Sequence, residues 1–159
     1  MPTDTSKFPH PKLLNMKHYN DLNEKEKGQL LKFPAYISLL ASTAEAGIDT
    51  AEMTTAVRIT HVKTFSSDPV LRDYYKEAEL VFEDTITNLN KELPHKIEER
   101  KTAIQKELNK LEPILQKLDP GYANILRRSM KSYKHYISKA HRNVLEYFIF
   151  PMPIEGVFD

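Results

Sequence analysis

Apolar residues recur every three to four positions along most of this chain, which is the spacing of helices with one buried face. The runs from Leu30 to Ala44, from Leu71 to Leu89 and from Tyr122 to Phe148 show this spacing most clearly. Strand-like alternation is nearly missing, and only four glycines occur in 159 residues. The pattern therefore predicts an all-α protein, a helical bundle of about five helices.

Capping signals predict where these helices begin. Asn23, with Glu26 three residues later, forms the capping-box pattern that starts the first helix. Ser67-Asp68-Pro69 and Asp119-Pro120 each combine an acidic cap with proline at the first helical position, which favours a new helix start.

Two prolines fall inside the helical patterns rather than at their starts. Pro34 is expected to bend or break its helix, because proline lacks a backbone donor and clashes with the preceding turn. Pro113 is expected to kink its helix or to mark where a new turn begins. The last three segments are each roughly 22–28 residues long, and short connections around Pro94 and Asp119 make such neighbours antiparallel. We therefore expect three long antiparallel helices, packed with two shorter N-terminal ones.

The chain divides into three parts by composition. Residues 1–21 contain three prolines and little periodicity, so they are predicted to be an N-terminal arm. Residues 22–150 are the predicted single helical domain, with a long helical hairpin over 95–148. Residues 149–159 form an apolar, proline-containing tail, which we expect to fold back over the bundle as an extended strap. A peptide that docks on a partner is the alternative for this tail.

Several classes of protein are disfavoured by what the sequence lacks. The absence of cysteine excludes disulfides, thiolate metal sites and thiol nucleophiles. No apolar run approaches the roughly 18 residues of a membrane span, and no apolar signal segment follows the N-terminus, so we expect a cytoplasmic protein. No glycine-rich phosphate loop, His-Glu-x-x-His motif or Gly-x-Ser-x-Gly elbow occurs. The prediction is a non-enzymatic protein without a cofactor, unless it binds a divalent cation.

Three carboxylates cluster at the junction between the first two predicted helices. Glu45, Asp49 and Glu52 fall within eight residues, around Gly47. Hard divalent cations prefer several oxygen ligands of this kind, so these three residues are candidate metal ligands. Helix capping offers a second explanation for two of them, since Asp49 can cap the next helix and Glu52 can complete its capping box.

The same junction resembles the TerB-like (tellurite-resistance-associated) helical domains. In those domains a helix of small and apolar residues leads into the pattern Ala-Asp-Gly-x-Ile-x-x-x-Glu. Residues 44–52 here are Ala-Glu-Ala-Gly-Ile-Asp-Thr-Ala-Glu, with the glycine one position later, and residues 30–40 are similar to the preceding helix. The resemblance covers about 22–94. It implies an all-α core, metal binding by acids at the turn, and an association with membrane-linked stress complexes.

The last predicted helix is strongly basic. Between residues 120 and 145 the chain has six basic residues and no acidic one, with tyrosines interleaved. Such a helix can neutralise phosphates and stack bases, so Arg127, Arg128, Lys131 and Lys134 are candidate nucleic-acid contacts. Alternatively these charges form a solvated face, or they complement the acidic segment 68–92.

The predicted function is a non-enzymatic helical scaffold or interaction domain, with a stress association implied by the resemblance. Its expected working surfaces are the basic last helix and the apolar tail, and its expected partner is another protein or a second copy of the chain. Two alternatives stay open. One is a divalent-cation-binding TerB-like protein, and the other is a helical nucleic-acid-binding protein that uses the last helix.

Overall fold

The computed structural model describes residues 17–41 and 50–141. These two ranges contain no strand, and none of their helices is both long and apolar enough to cross a membrane. The predicted all-α bundle is therefore confirmed. Within the described ranges, 3-10 turns occur at Tyr19–Asp21 and Pro69–Leu71. The α-helices, in chain order, are α1 (Glu24–Leu31), α2 (Phe33–Ala41), α3 (Thr50–Ser66), α4 (Arg72–Glu92), α5 (Ile97–Asn109), α6 (Leu111–Gln116) and α7 (Pro120–His141).

The helix starts follow the predicted capping signals. The Asn23 side chain accepts a hydrogen bond from the Glu26 backbone N–H at 2.8 Å, and the Glu26 carboxylate accepts one from the Asn23 N–H at 3.2 Å, which completes the capping box of α1. The Asp68 side chain accepts a hydrogen bond from the Val70 backbone N–H at 3.0 Å, which caps the 3-10 turn that precedes α4. Asp119 accepts from a backbone N–H in the first turn of α7, also at 3.0 Å.

Both interior prolines lie in the first turn of a helix. The predicted break at Pro34 is confirmed, because α1 ends at Leu31 and α2 begins at Phe33. The second interruption falls at Lys110, three residues before Pro113, where the sequence predicted a kink or the start of a new turn. Proline is tolerated in a first turn because the backbone N–H it lacks would have no helical partner there. The helix therefore restarts ahead of Pro113 instead of bending at it.

The short helix α2 lies at the centre of the bundle. All nine of its residues are buried, and it contacts α1, α3, α4, α5 and α7. The sequence led us to expect that the two shorter N-terminal helices would pack across three long ones. Instead, the longer segments surround α2. A helix that is apolar on every side has no face suited to water, which explains this position.

A shared hydroxyl cluster connects α2 to two neighbouring helices. The Tyr133 hydroxyl of α7 lies 3.1 Å from Ser38 Oγ on α2 and 3.1 Å from Thr60 Oγ1 on α3. Ser38 and Thr60 also reach the backbone carbonyls of Pro34 and Ala56, at 2.8 and 2.9 Å. Three hydroxyl protons serve these four contacts, so at most three of the contacts are hydrogen bonds at one time.

The end of the predicted N-terminal arm packs on the bundle. Tyr19 is buried, and its hydroxyl donates to Glu77 of α4 at 3.1 Å. The ring of His18 stacks on Tyr122 of α7, with ring centres 4.5 Å apart. Residues 1–16 of the arm and all of the predicted apolar tail lie outside the described residues.

Candidate functional site

The structure describes one of the three predicted cation ligands, Glu52. Glu45 and Asp49 lie outside the described residues. Helix α3 begins at Thr50, directly after Asp49, and Glu52 is half-buried in its first turn. Among the His, Asp and Glu residues that the structure describes, no group of three or more is placed to hold a metal ion. The cation site stays a prediction.

The predicted nucleic-acid contacts differ in their surroundings. Arg127 is engaged with Glu112 of α6, since one guanidinium nitrogen lies 2.9 and 3.2 Å from the two carboxylate oxygens. Arg128 is exposed. Lys131 and Lys134 are half-buried, and the pKa of Lys134 is lowered, first by burial and then by the charge of Lys131. The basic stretch therefore does not form one fully exposed phosphate-binding face.

A lysine that sequence reasoning did not single out lies at the contact between α3 and α7. Lys63 is only 8% exposed, and its Nζ donates to Ser132 Oγ at 2.8 Å. The same Nζ lies 5.3 Å from the centre of the Tyr136 ring, in a cation–π contact. No carboxylate within residues 17–41 and 50–141 forms an ion pair with it. Burial lowers the pKa of Lys63, because the charged form loses water.

The helical register explains why Lys63 is buried. It follows Ala56 by seven residues and Thr60 by three, and both of these side chains are buried. Residues at these spacings lie on one face of a helix. The burial of Lys63 could therefore be predicted from the sequence, because the residues on the buried face of a helix are usually apolar and a lysine at such a position is an exception.

Lys63 forms part of a groove of about 260 Å³ between α3 and α7. Two of the large apolar side chains that are most exposed in the described residues, Val62 at 54% and Tyr136 at 52%, lie together there. Arg58 is exposed at the same groove and adds a second positive charge. The full lining consists of Arg58, Ile59, Val62, Lys63, Ser66 and Tyr136.

These properties suit a ligand with a negative charge and an apolar body. A positive charge in a partly dry site attracts an anion more strongly than one in water, because the local dielectric constant is lower. The apolar walls and the aromatic ring favour burial of a hydrophobic group. Clefts for drug-sized ligands measure about 300–1,000 Å³, so the groove fits a smaller molecule or one or two side chains of a partner.

No protein-family model, curated protein or solved structure matches this chain. The TerB-like resemblance therefore stays a prediction. The function has to be argued from the groove and its residues.

Replacing Lys63 by methionine is expected to raise the free energy of unfolding by about 1–2 kcal/mol, although it removes a side-chain hydrogen bond. The reason is that an apolar side chain of similar length avoids the burial of a charge that no carboxylate among the described residues balances. Ser132 is only half-buried, so water can replace the lost donor. Urea unfolding of both proteins measures the difference.

Lys139→Met on α7 is the matched control, because Lys139 is exposed. This variant should change the free energy of unfolding by no more than about 0.5 kcal/mol. If Lys63→Met lowered the stability instead, Lys63 would be a stabilising element of the bundle.

Proposed function

We propose that this chain is a non-enzymatic helical interaction domain that binds a protein partner through the groove between α3 and α7. The observation that carries the proposal is the buried cation of Lys63, which forms no ion pair with a carboxylate of residues 17–41 or 50–141, beside two exposed apolar side chains. Such a cation lowers stability, and proteins accept losses of this kind mainly at functional sites.

The groove and its surroundings also have the composition of a binding surface. Tyrosine and arginine are enriched among the residues that dominate interface energies, and here Tyr136 and Arg58 line the same groove. The basic side chains of α7 raise the positive potential nearby, which speeds the approach of an acidic partner. The partner that fits this surface is an acidic segment with apolar side chains on one face.

A nucleic acid is less well supported as the partner. Phosphate binding depends on cations that are free to replace counterions. Arg127 is engaged with Glu112, and Lys131 and Lys134 are half-buried. Cation binding at Glu45, Asp49 and Glu52 is a separate proposal, and a titration with calcium, magnesium or manganese tests it.

The proposed function is tested with three fluorescent helical peptides that share one apolar stripe and differ in charge. One carries glutamates, the second glutamines and the third lysines on the remaining face. Fluorescence anisotropy with the full chain should show the tightest binding for the glutamate peptide. Tyr136→Ala and Val62→Asp should each weaken that binding by about tenfold or more, as expected for central interface residues.

Leu80→Asp serves as the control, because Leu80 is 81% exposed on α4 and does not line the groove. It should leave the affinity unchanged. Equal affinity for all three peptides, no binding of any, or a loss with Leu80→Asp equal to that with Val62→Asp would each overturn the proposal.

A further inference from the structure

We infer that Lys63 binds a single carboxylate of the partner, which we call the anchor. This carboxylate is carried on an apolar body, such as an acidic side chain beside an aromatic group. This inference rests on the proposed function, because it names the chemistry that the partner presents to the groove. The same chemistry occurs in a free aryl or alkyl carboxylic acid, so a small molecule can serve as the probe.

The hydrogen-bonding capacity of Lys63 supports a carboxylate. Its ammonium group has three donors, and the hydroxyl of Ser132 takes one of them. Tyr136 offers Lys63 only the face of its ring, so with respect to the part of the chain that the structure describes, two N–H groups remain for a ligand. A carboxylate has two oxygens that accept such bonds, and the Ser66 hydroxyl in the same groove is a further donor.

The charge balance favours a carboxylate over a phosphate. One carboxylate neutralises the one charge of Lys63 and leaves no excess in the buried part of the site. A phosphate monoester carries about −1.5 to −2 charges at pH 7. The second cation that it would need, Arg58, is at the exposed side of the groove, where water screens it.

The size and walls of the groove favour an apolar body next to the anion. Its volume of about 260 Å³ corresponds to roughly nine water molecules at about 30 Å³ each. Ile59 and Val62 supply aliphatic walls, and Tyr136 supplies an aromatic one. A phenyl group with a short aliphatic chain and a terminal carboxylate therefore matches both the size and the polarity of the site.

The experiment titrates the full chain with phenylbutyrate, with its uncharged amide and with phenylbutylamine, and follows backbone and methyl NMR signals. We expect saturable shifts at Val62 and around Tyr136 with phenylbutyrate, with a Kd in the millimolar range. The amide should bind about tenfold more weakly or worse, and the amine should not bind. Phenyl phosphate should bind less tightly than phenylbutyrate.

Two lysine variants distinguish a specific contact between the carboxylate and Lys63 from a general attraction of an anion to basic side chains. Lys63→Met should abolish saturable binding of phenylbutyrate while the variant stays folded, as its urea transition will show. Lys139→Met should bind phenylbutyrate as the parent protein does. Equal binding of acid and amide, binding that survives Lys63→Met, or no saturable shift with phenylbutyrate would each overturn the inference.

The peptide and phenylbutyrate experiments together distinguish failure of this inference from failure of the proposed function. If the glutamate peptide binds through Val62 and Tyr136 but phenylbutyrate does not bind, the groove is a protein-binding surface without a carboxylate anchor. If phenylbutyrate binds through Lys63 and none of the three peptides binds, the carboxylate site is correct and the protein-interaction proposal is wrong.

Discussion

Raising the pH is expected to unfold this protein between about pH 10 and pH 12, because folding buries most of its tyrosines as neutral phenols. Six of the eight tyrosines in the chain are at most 5% exposed. Burial raises the pKa of Tyr133 to about 12, and the pKa values of Tyr36 and Tyr122 are raised to about 12, again mainly by burial. The six are Tyr19, Tyr36, Tyr74, Tyr75, Tyr122 and Tyr133.

The sign of the effect follows from which state binds the proton. A tyrosine in the unfolded chain has a pKa of about 10, so above that pH the folded state holds protons that the unfolded state has lost. The stabilisation is complete below pH 10 and decreases as the pH rises toward 12. Each such tyrosine lowers the free energy of unfolding by about 1.4 kcal/mol per pH unit in this window.

The combined effect is large compared with the stability of a domain. Tyr36, Tyr122 and Tyr133 alone contribute about 4 kcal/mol per pH unit, against a typical stability of about 5–15 kcal/mol. Circular dichroism should show the loss of helix, and near-ultraviolet absorbance should show tyrosinate formation. The two transitions should coincide, since the buried phenols ionise only when the bundle opens.

Tyr136→Phe provides the control for this titration, because Tyr136 is 52% exposed. The midpoint of helix loss should not change in this variant, because the phenol that it removes is not buried by folding. If all the tyrosinate signal appeared near pH 10 with the helices intact, the phenols would not be excluded from water and the account of the core would be wrong.

Ile37→Ala is expected to lower the free energy of unfolding by about 2–5 kcal/mol. Ile37 has no exposed surface and lies in the middle of α2, the helix that the other segments surround. Removing its side chain leaves a cavity that several helices would have to move together to fill, so the site can collapse only in part. Such a loss is a large fraction of a typical domain's stability, and urea unfolding at equilibrium measures it.

Leu80→Ala is the matched control, since it also shortens an aliphatic side chain within a helix. Leu80 is 81% exposed on α4, and we expect a change within about 0.5 kcal/mol. A loss below about 1 kcal/mol for Ile37→Ala would contradict the central position of α2, because a fully packed site does not tolerate that deletion so well.

The parts of the fold that the sequence predicted well depend on local chemistry. Asn23 with Glu26, and Asp119 ahead of α7, cap helices through backbone groups only three residues away. Such contacts are contained in a short stretch of sequence and hardly depend on the rest of the chain. The order of residues along the chain is therefore enough to place these helix starts.

The central position of α2 depends on contacts between distant segments, and the periodicity did not reveal it. The spacing of apolar residues from Leu30 to Ala44 predicts a single apolar stripe along the first helical segment. The nine residues of α2 are apolar on nearly every side, which is a better indicator of a surrounded helix than any stripe.

The candidate site was missed for a related reason. The spacing of Lys63 from Ala56 and Thr60 places it on the buried face of α3, but a search for periodic apolar residues passes over a lysine. The basic stretch of α7 could be counted from the sequence, but the pairing of Arg127 with Glu112 could not, because it joins two helices. Counting charged residues predicts the sign of the charge on a surface, but it does not identify which of those charges are neutralised by ion pairs.

The hydroxyl cluster around Tyr133 gives the core two isomers that differ only in the positions of hydrogen atoms. In one, Tyr133 donates to Ser38, and in the other it donates to Thr60, while Ser38 and Thr60 donate to the carbonyls of Pro34 and Ala56 in both. Both isomers keep every heavy atom in place. An alanine at either neighbouring position would remove this choice and leave one direction of donation through the centre of the bundle.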